Sequence, residues 1–283
     1  MALADFHLHS TASDGVRTPA EVVAAAARNG VRVVALTDHD TVDGLREAAE
    51  AARSWGLRLV PGIELSTDLG PRDVHLIALG IEIDRPDLLA FLAEQREHRQ
   101  GRARRIVETL REYGIELDLE RLFELAGEGS VGRPHVARAM LERGYVATVQ
   151  EAFDRWLGDG KPGDIPRPKL TPAEAVARIH EWGGVAVAAH PCFVGEGWLG
   201  VLEEVAAAGV DAMEVYYRDY PAETVAELES AAERLRLERS GGSDFHGLGN
   251  PGERPPGDIV FPDGWARRFV EFLEGRCRRP YLV

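Results

Sequence analysis

Short apolar runs recur along the chain at Leu3–Leu8, Val31–Leu36, Leu57–Leu65, Val74–Ile81, Gly184–Ala189 and Ala212–Tyr216, with a shorter one around Arg239–Ser243. Their length and composition predict strands. Helical segments stand between most of them. In TPAEVVAAAARNG, Thr18 suits an N-cap, Pro19 the first helical position and Gly30 a C-terminal stop. TPAEAVARIHEWGG repeats that grammar from Thr171, and TVDGLREAAEAARSWG ends near Gly56. Strand alternating with helix calls for a parallel sheet or barrel, an α/β architecture.

The alternation stops over residues 84–164. There the segments RPDLLAFLAEQREHRQGRARRIVETLREYG, DLERLFELAGEG, GRPHVARAMLERG and TVQEAFDRWLGDG read as successive helices. They form a helical insertion, after which the Pro- and Gly-rich GKPGDIPRPKL returns the chain to the sheet as an ordered loop. With 283 residues, one core near its upper size carries this elaboration. Residues 1–83 and 165–283 make the barrel domain, and 84–164 the insertion.

Charge and cysteine narrow the partners. Net charge is −14, which disfavours extensive duplex nucleic-acid binding but leaves room for a small phosphorylated ligand at a local cluster of cations. Cys192 and Cys277 have no metal-type spacing and make no disulfide framework. No basic leader with an apolar stretch and no 18-residue apolar run is evident, so the expected location is cytoplasmic, away from membranes. No obligate protein partner is evident.

The histidines carry the chemistry. ADFHLHSTASDG places His7 and His9 on one face of a strand, with Asp14 shortly after. His39 follows the second run in VVALTDHDTVDG, Glu64 ends the third in LVPGIELS, and His190 follows the fifth in VAVAAHP. GGSDFHG adds Asp244 and His246 at another strand end, whereas His75 in RDVHLIALG sits near the beginning of its run. In parallel strand–helix folds the C-terminal strand ends gather at one mouth, so residues remote in sequence meet there. Imidazole with carboxylate suits zinc, manganese or iron, and nine such groups are enough for two or three ions.

The elements HLHSTASDG, LTDHDT, PGIELS, VHLIALG, AAHP and GSDFHG, in that order, resemble the PHP family, named for polymerase and histidinol phosphatase. GRPHVARAM resembles the branch of nucleotide bisphosphate phosphatases and 5′-3′ exoribonucleases. The resemblance implies a distorted (β/α)7 barrel with a trinuclear metal site. It assigns His7, His9, Glu64 and Asp244 to a first metal, and Glu64, His75 and His190 to a second. Asp14, His39 and His246 fall to a third. Manganese is the preferred ion, with zinc and iron as alternatives. The implied reaction is hydrolysis of a phosphate ester by water that the metals activate. Substrates would be small nucleotides such as 3′,5′-bisphosphonucleosides, or the 5′ ends of short RNA. A histidinol-phosphate-type phosphatase and a non-catalytic metal-bound scaffold are the competing readings.

Arg133, His135 and Lys169 are the expected phosphate-positioning residues, Arg133 by its bidentate fork at a helix start and His135 as phosphate ligand or general acid. Together with barrel residues, the insertion would form part of the substrate pocket. The run from Arg96 to Arg105 reads as a solvated helix face, since glutamates flank it. His98 and His180 read as surface or packing residues. Asp38, Asp40, Asp43 and Asp73 read equally as partners of ligand histidines or as caps; Glu214 on its strand could reach the pocket rim, with Tyr216 and Tyr217 against a base, but the favoured reading has these residues facing core and helix. Nucleotide-specific relatives tend to carry Gly-Arg after the HP dipeptide; here the chain reads HPCFVGEG, with Cys192 and Phe193 in that place.

Overall fold

Seven strands form where the apolar runs predict them: β1 (Ala4–Asp5), β2 (Val33–Leu36), β3 (Arg58–Leu69), β4 (Arg72–Leu79), β5 (Val185–Ala188), β6 (Ala212–Tyr217) and β7 (Glu238–Gly242). They come from a computed structural model that describes residues 2–127, 129–218, 220–249 and 252–283. The strands lie side by side in chain order in one sheet. The segment after β1 also hydrogen-bonds to the far end of the sheet. Phe6 N–H donates to Gly241 O at 3.1 Å, Asp244 N–H to His7 O at 2.9 Å and His9 N–H to Phe245 O at 3.0 Å. The sheet therefore curls into a nearly closed barrel. Closure requires glycine at position 242, because a Cβ there would lie 2.3 Å from the His7 Cβ.

One expectation fails. β3 and β4 pair antiparallel, as do β4 and β5, so the sheet is mixed rather than parallel. The reason lies between residues 69 and 72: a tight turn with Gly70 at φ 62° leaves no room for a crossover helix. The reversal has a consequence for the site. The beginning of β4 comes to the rim where the parallel strands end, and His75 comes with it.

Ten α-helices lie among the described residues: α1 (Pro19–Arg28), α2 (Leu45–Trp55), α3 (Pro86–Glu112), α4 (Leu119–Ala126), α5 (Arg133–Glu142), α6 (Val149–Ala152), α7 (Pro172–Glu181), α8 (Trp198–Ala207), α9 (Ala222–Leu235) and α10 (Asp263–Arg276). Thr18 and Thr171 close capping boxes with Glu21 and Glu174, as the repeated TPAE predicts. Gly56 ends α2 in the left-handed conformation. No described helix is long and apolar enough to cross a membrane.

Two apolar clusters result. The larger joins the barrel strands to their covering helices, including Leu88, Phe91 and Leu92 from the first half of α3. The smaller, built on Ile106, Val107 and Leu110 of α3 with Leu122, Val136, Met140 and Leu157, lies wholly within residues 103–157. The long α3 thus belongs to both.

Candidate metal centre

All nine predicted groups converge at the rim. The Nε2 atoms of His7 and His9 lie 3.0 Å apart. Each is 3.2 Å from Glu64 Oε2, and the two stand 3.2 and 3.1 Å from Asp244 Oδ1. The other Glu64 oxygen, Oε1, faces His75 Nδ1 at 2.8 Å and His190 Nε2 at 3.1 Å. Asp14 gathers His246 at 3.4 Å, His39 at 3.7 Å and His9 at 3.9 Å. Four overlapping sets of three or four ligand atoms lie within 4.8 Å of one another: His9, Asp14, His39 and His246; His7, Glu64 and His190; His7, His9 and Asp244; and His39, Glu64 and His75.

Buried partners aim these side chains. His7 Nδ1 donates to Glu214 Oε1 at 3.1 Å, which turns Nε2 towards the cluster. The other Glu214 oxygen accepts the His190 backbone N–H at 2.7 Å. The reading of Glu214 as a core-facing strand residue is therefore corrected: it is wholly buried, but it serves two histidines. Asp244 divides its oxygens in the same way. Oδ1 faces His7 and His9, while Oδ2 accepts from the Tyr217 hydroxyl at 2.6 Å and from Arg218. His246 Nδ1 donates to the Asp244 carbonyl at 2.9 Å, leaving its Nε2 towards Asp14. Asp38 accepts from the Ser10 N–H and from the hydroxyls of Ser10 and Ser13, each at 2.7 Å, and so shapes the loop between His9 and Asp14.

A bulge explains why Tyr217 rather than Tyr216 reaches the site. In β6, Glu214 pairs with Ser240 but Tyr216 pairs with Gly241, so the strand carries one extra residue. Glu214 and Tyr217 then face the same side. Tyr216 instead stacks on Phe261 with ring centroids 5.0 Å apart and donates to Glu229. Backbone strain gathers at the same rim. Asp40, His190, Arg218 and Asp244 all have positive φ, a conformation that L-residues adopt only where surrounding structure enforces it.

The electrostatics fit a bound cation. Burial opposes ionisation of Asp14, Glu64 and Asp244, yet the surrounding imidazoles hold all three carboxyls well below their ordinary range. Burial likewise opposes charging His9, but its hydrogen bonds to Asp244 and Glu64 carry it up to about 10. For His39 burial prevails and takes it down to about 3. Ionised carboxylates packed this densely demand positive charge, from protons or metal ions. His39 Nδ1 stands 3.1 Å from Glu64 Oε2 without hydrogen-bond alignment, and His9 Nδ1 has no hydrogen-bond partner either. Buried nitrogens that crowd a carboxylate without bonding to it fit a metal donor set of mixed imidazole and carboxylate.

Outside the cluster, a cavity of about 370 Å³ is walled by His75, His190, Asp244, Arg133, Phe193 and Tyr217. A second, of about 480 Å³, shares Arg133 and adds Arg102, Arg167 and Lys169. Arg133 opens α5 and lies 3.8 Å from Asp73 and 3.5 Å from the exposed Asp159. Lys169 Nζ lies 2.8 Å from Asp68 and 3.1 Å from Asp73. His135 lines neither cavity. It is 1% exposed, and its Nδ1 accepts the Gly132 N–H at 3.0 Å, so it is not a helix-surface histidine. The basic run is also not a solvated face throughout. Arg99 is buried against Asp40 at 2.7 Å, and Asp40 also takes Arg167 at 2.6 Å. Gln95, Arg99 and Arg102 recur at helical spacing on the α3 face that continues Leu88 and Phe91. That periodicity was the available signal. Burial, then neighbouring Arg133, Arg99 and Arg167, push Arg102 down to about 9, the mark of crowded cations. His98 and His180 lie away from the cluster, beside Glu94 and Asp211.

A seven-stranded α/β barrel whose rim gathers imidazoles and carboxylates beside a cavity that Arg133 lines belongs to the class of metal-dependent hydrolases acting on phosphate esters. This chain is a member of the PHP domain family, whose model matches residues 5–158, and it is a metal-dependent phosphoesterase. It is 35% identical over 264 residues to a 5′-3′ exoribonuclease of Haemophilus influenzae, covering 92% of this chain and 91% of that one. It is also 35% identical, over a 284-residue alignment and 99% of both chains, to a 3′,5′-nucleoside bisphosphate phosphatase of Chromobacterium violaceum. The solved structure of an amidohydrolase from Chromobacterium violaceum, with bound sulfate and no metal, matches with a TM-score of 0.87, 34% identity and 99% coverage of both chains.

Proposed function

We propose that the nine rim groups hold three divalent ions, manganese by preference, and that the enzyme hydrolyses phosphate esters of small nucleotides such as 3′,5′-bisphosphonucleosides, or the 5′ ends of short RNA. His7, His9, Glu64 and Asp244 would hold the first ion. Glu64, His75 and His190 would hold the second, and Asp14, His39 and His246 the third. The observation that carries the substrate class is the placing of Arg133, which walls both cavities. One cavity opens on the cluster and the other holds Arg102 and Lys169 among Asp68, Asp73, Asp159 and Asp164, so a ligand with two phosphates finds a cation near each where it displaces those carboxylates. The similarity to the bisphosphate phosphatase and the exoribonuclease supports the same reading.

Bound ions would supply the Lewis acidity that lowers the pKa of water towards neutrality and neutralises charge on the phosphoryl group. The chain's own residues prepare the site. Glu214 keeps the proton on His7 Nδ1, and Tyr217 with Arg218 keeps Asp244 Oδ1 turned inward. Arg133 and Lys169 grip phosphate by exchanging their partners Asp159, Asp68 and Asp73 for it. His135 steadies the start of α5, and hence Arg133, through its bond from Gly132. Residues 84–164 act as an inserted helical unit that supplies Arg102, Arg133, Asp159 and Asp164 to the pocket.

The test is a panel assayed with manganese-loaded protein: a nucleoside 3′,5′-bisphosphate, short 5′-phosphorylated RNA and histidinol phosphate. Turnover of either of the first two is expected. Turnover of histidinol phosphate alone overturns the substrate class, and full metal loading without turnover of any phosphate ester points to a scaffold. His9→Ala should lose both bound metal, measured by elemental analysis, and turnover.

A further inference from the structure

We propose that Phe193 is the stacking platform for the aromatic base of the nucleotide, an inference that rests on the substrate class argued above and adds the feature that selects for a base. Phe193 sits in the short 3₁₀ turn Pro191–Val194 that follows His190, and it is 61% exposed, against 3% for Tyr217 beside it. Lone exposed apolar side chains are ordinary on protein surfaces. This one lines the cavity that holds His75, His190, Asp244 and Arg133.

Its plane is set by its neighbours. The ring meets His190 edge-to-face with centroids 5.4 Å apart and an interplanar angle of 82°, and meets Tyr217 at 5.4 Å and 71°. The Arg218 guanidinium stands 5.9 Å from the Phe193 ring and 5.1 Å from that of Tyr217, while its terminal nitrogen is committed to Asp244. Two aromatic contacts and a tethered cation thus hold a ring that remains mostly open to the cavity. A flat, pre-oriented aromatic surface beside a phosphate-gripping arginine suits a base attached to a phosphorylated sugar. It suits a base-free sugar phosphate much less. Stacking reads the π-face rather than hydrogen-bonding edges, so the platform favours purines over pyrimidines by area without demanding one base.

The experiment uses the manganese-loaded protein and calorimetric titration with adenosine 5′-monophosphate, uridine 5′-monophosphate and ribose 5-phosphate. Wild type is expected to bind them in that order of affinity. Phe193→Ala should weaken adenosine 5′-monophosphate about tenfold, as loss of one stacked base does, and ribose 5-phosphate less than twofold. Phe193→Trp should restore nucleotide affinity. Equal losses for nucleotide and sugar phosphate, no loss for either, or a wild type with no preference for the nucleotide would each overturn the platform. Phosphate release from the bisphosphate by wild type is read separately. Its absence beside an intact binding preference sinks the proposed reaction while supporting the platform.

Discussion

His7 and Glu214 show how far a proposed metal ligand is prepared by a residue that never faces the cavity. The carboxylate accepts hydrogen bonds from His7 Nδ1 at 3.1 Å and from the His190 backbone N–H at 2.7 Å, so it orients one imidazole and positions the other. Removing such a partner typically costs 10–100-fold in metal affinity or activity. Glu214→Ala should therefore reduce manganese affinity and turnover together by about that factor, which equilibrium dialysis and a phosphate-release assay will read. Turnover unchanged within twofold would remove Glu214 from the positioning role. None of this was visible in DAMEVYY. Alternation places Glu214 on one strand face, but says nothing of what stands opposite, and His7 is contributed by the first strand segment.

Elements decide which residues reach the rim. The reversed β4 brings the start of its strand to the mouth, and so explains why His75 alone among the nine proposed ligands sits early in its apolar run. The β6 bulge selects Tyr217 over Tyr216. The glycine in β7 lets His7 approach, and Gly242→Ala forces a Cβ into the His7 side chain at backbone-fixed distance. That substitution should lower stability by about 1–3 kcal/mol through overpacking and disturb His7 directly. Urea unfolding of the metal-free protein will measure the first effect; a midpoint equal to wild type would show that the barrel seam yields without cost. Helix ends were legible because their chemistry is local. Thr171→Ala should cost about 1 kcal/mol with no effect on metal binding, since it loses only the hydroxyl's local bonds, one from the Glu174 N–H and one to the Glu174 carboxylate.

At the scale of the molecule, the helical segment and the barrel are tied together by a buried charge cluster. Asp40 after β2 takes Arg99 from α3 and Arg167 from the returning loop, and Gln95 accepts from Arg167 at 2.8 Å. Asp40→Asn leaves two buried guanidiniums with no neutralising carboxylate, and a loss of about 3 kcal/mol is expected in denaturant unfolding. A shift below 0.5 kcal/mol would mean that water already shares this cluster. Metal should also stabilise the whole fold, because ions that bind only the folded rim favour it by mass action. A chelator should lower the melting temperature and manganese should restore it, a readout independent of turnover. The strand positions, the helix caps and the nine convergent groups could be read from the chain itself, because apolar period, capping residues and strand-end histidines are local patterns that the backbone converts directly into position. Which oxygen of Glu64 meets which imidazole, which tyrosine reaches Asp244, and which arginines of the basic run turn inward were settled only by the folded barrel. The first two depend on a strand reversal, a bulge and contacts between segments far apart in the chain; for the arginines, helical spacing marks the inward face, but only the distant Asp40 and Arg167 show what they meet there.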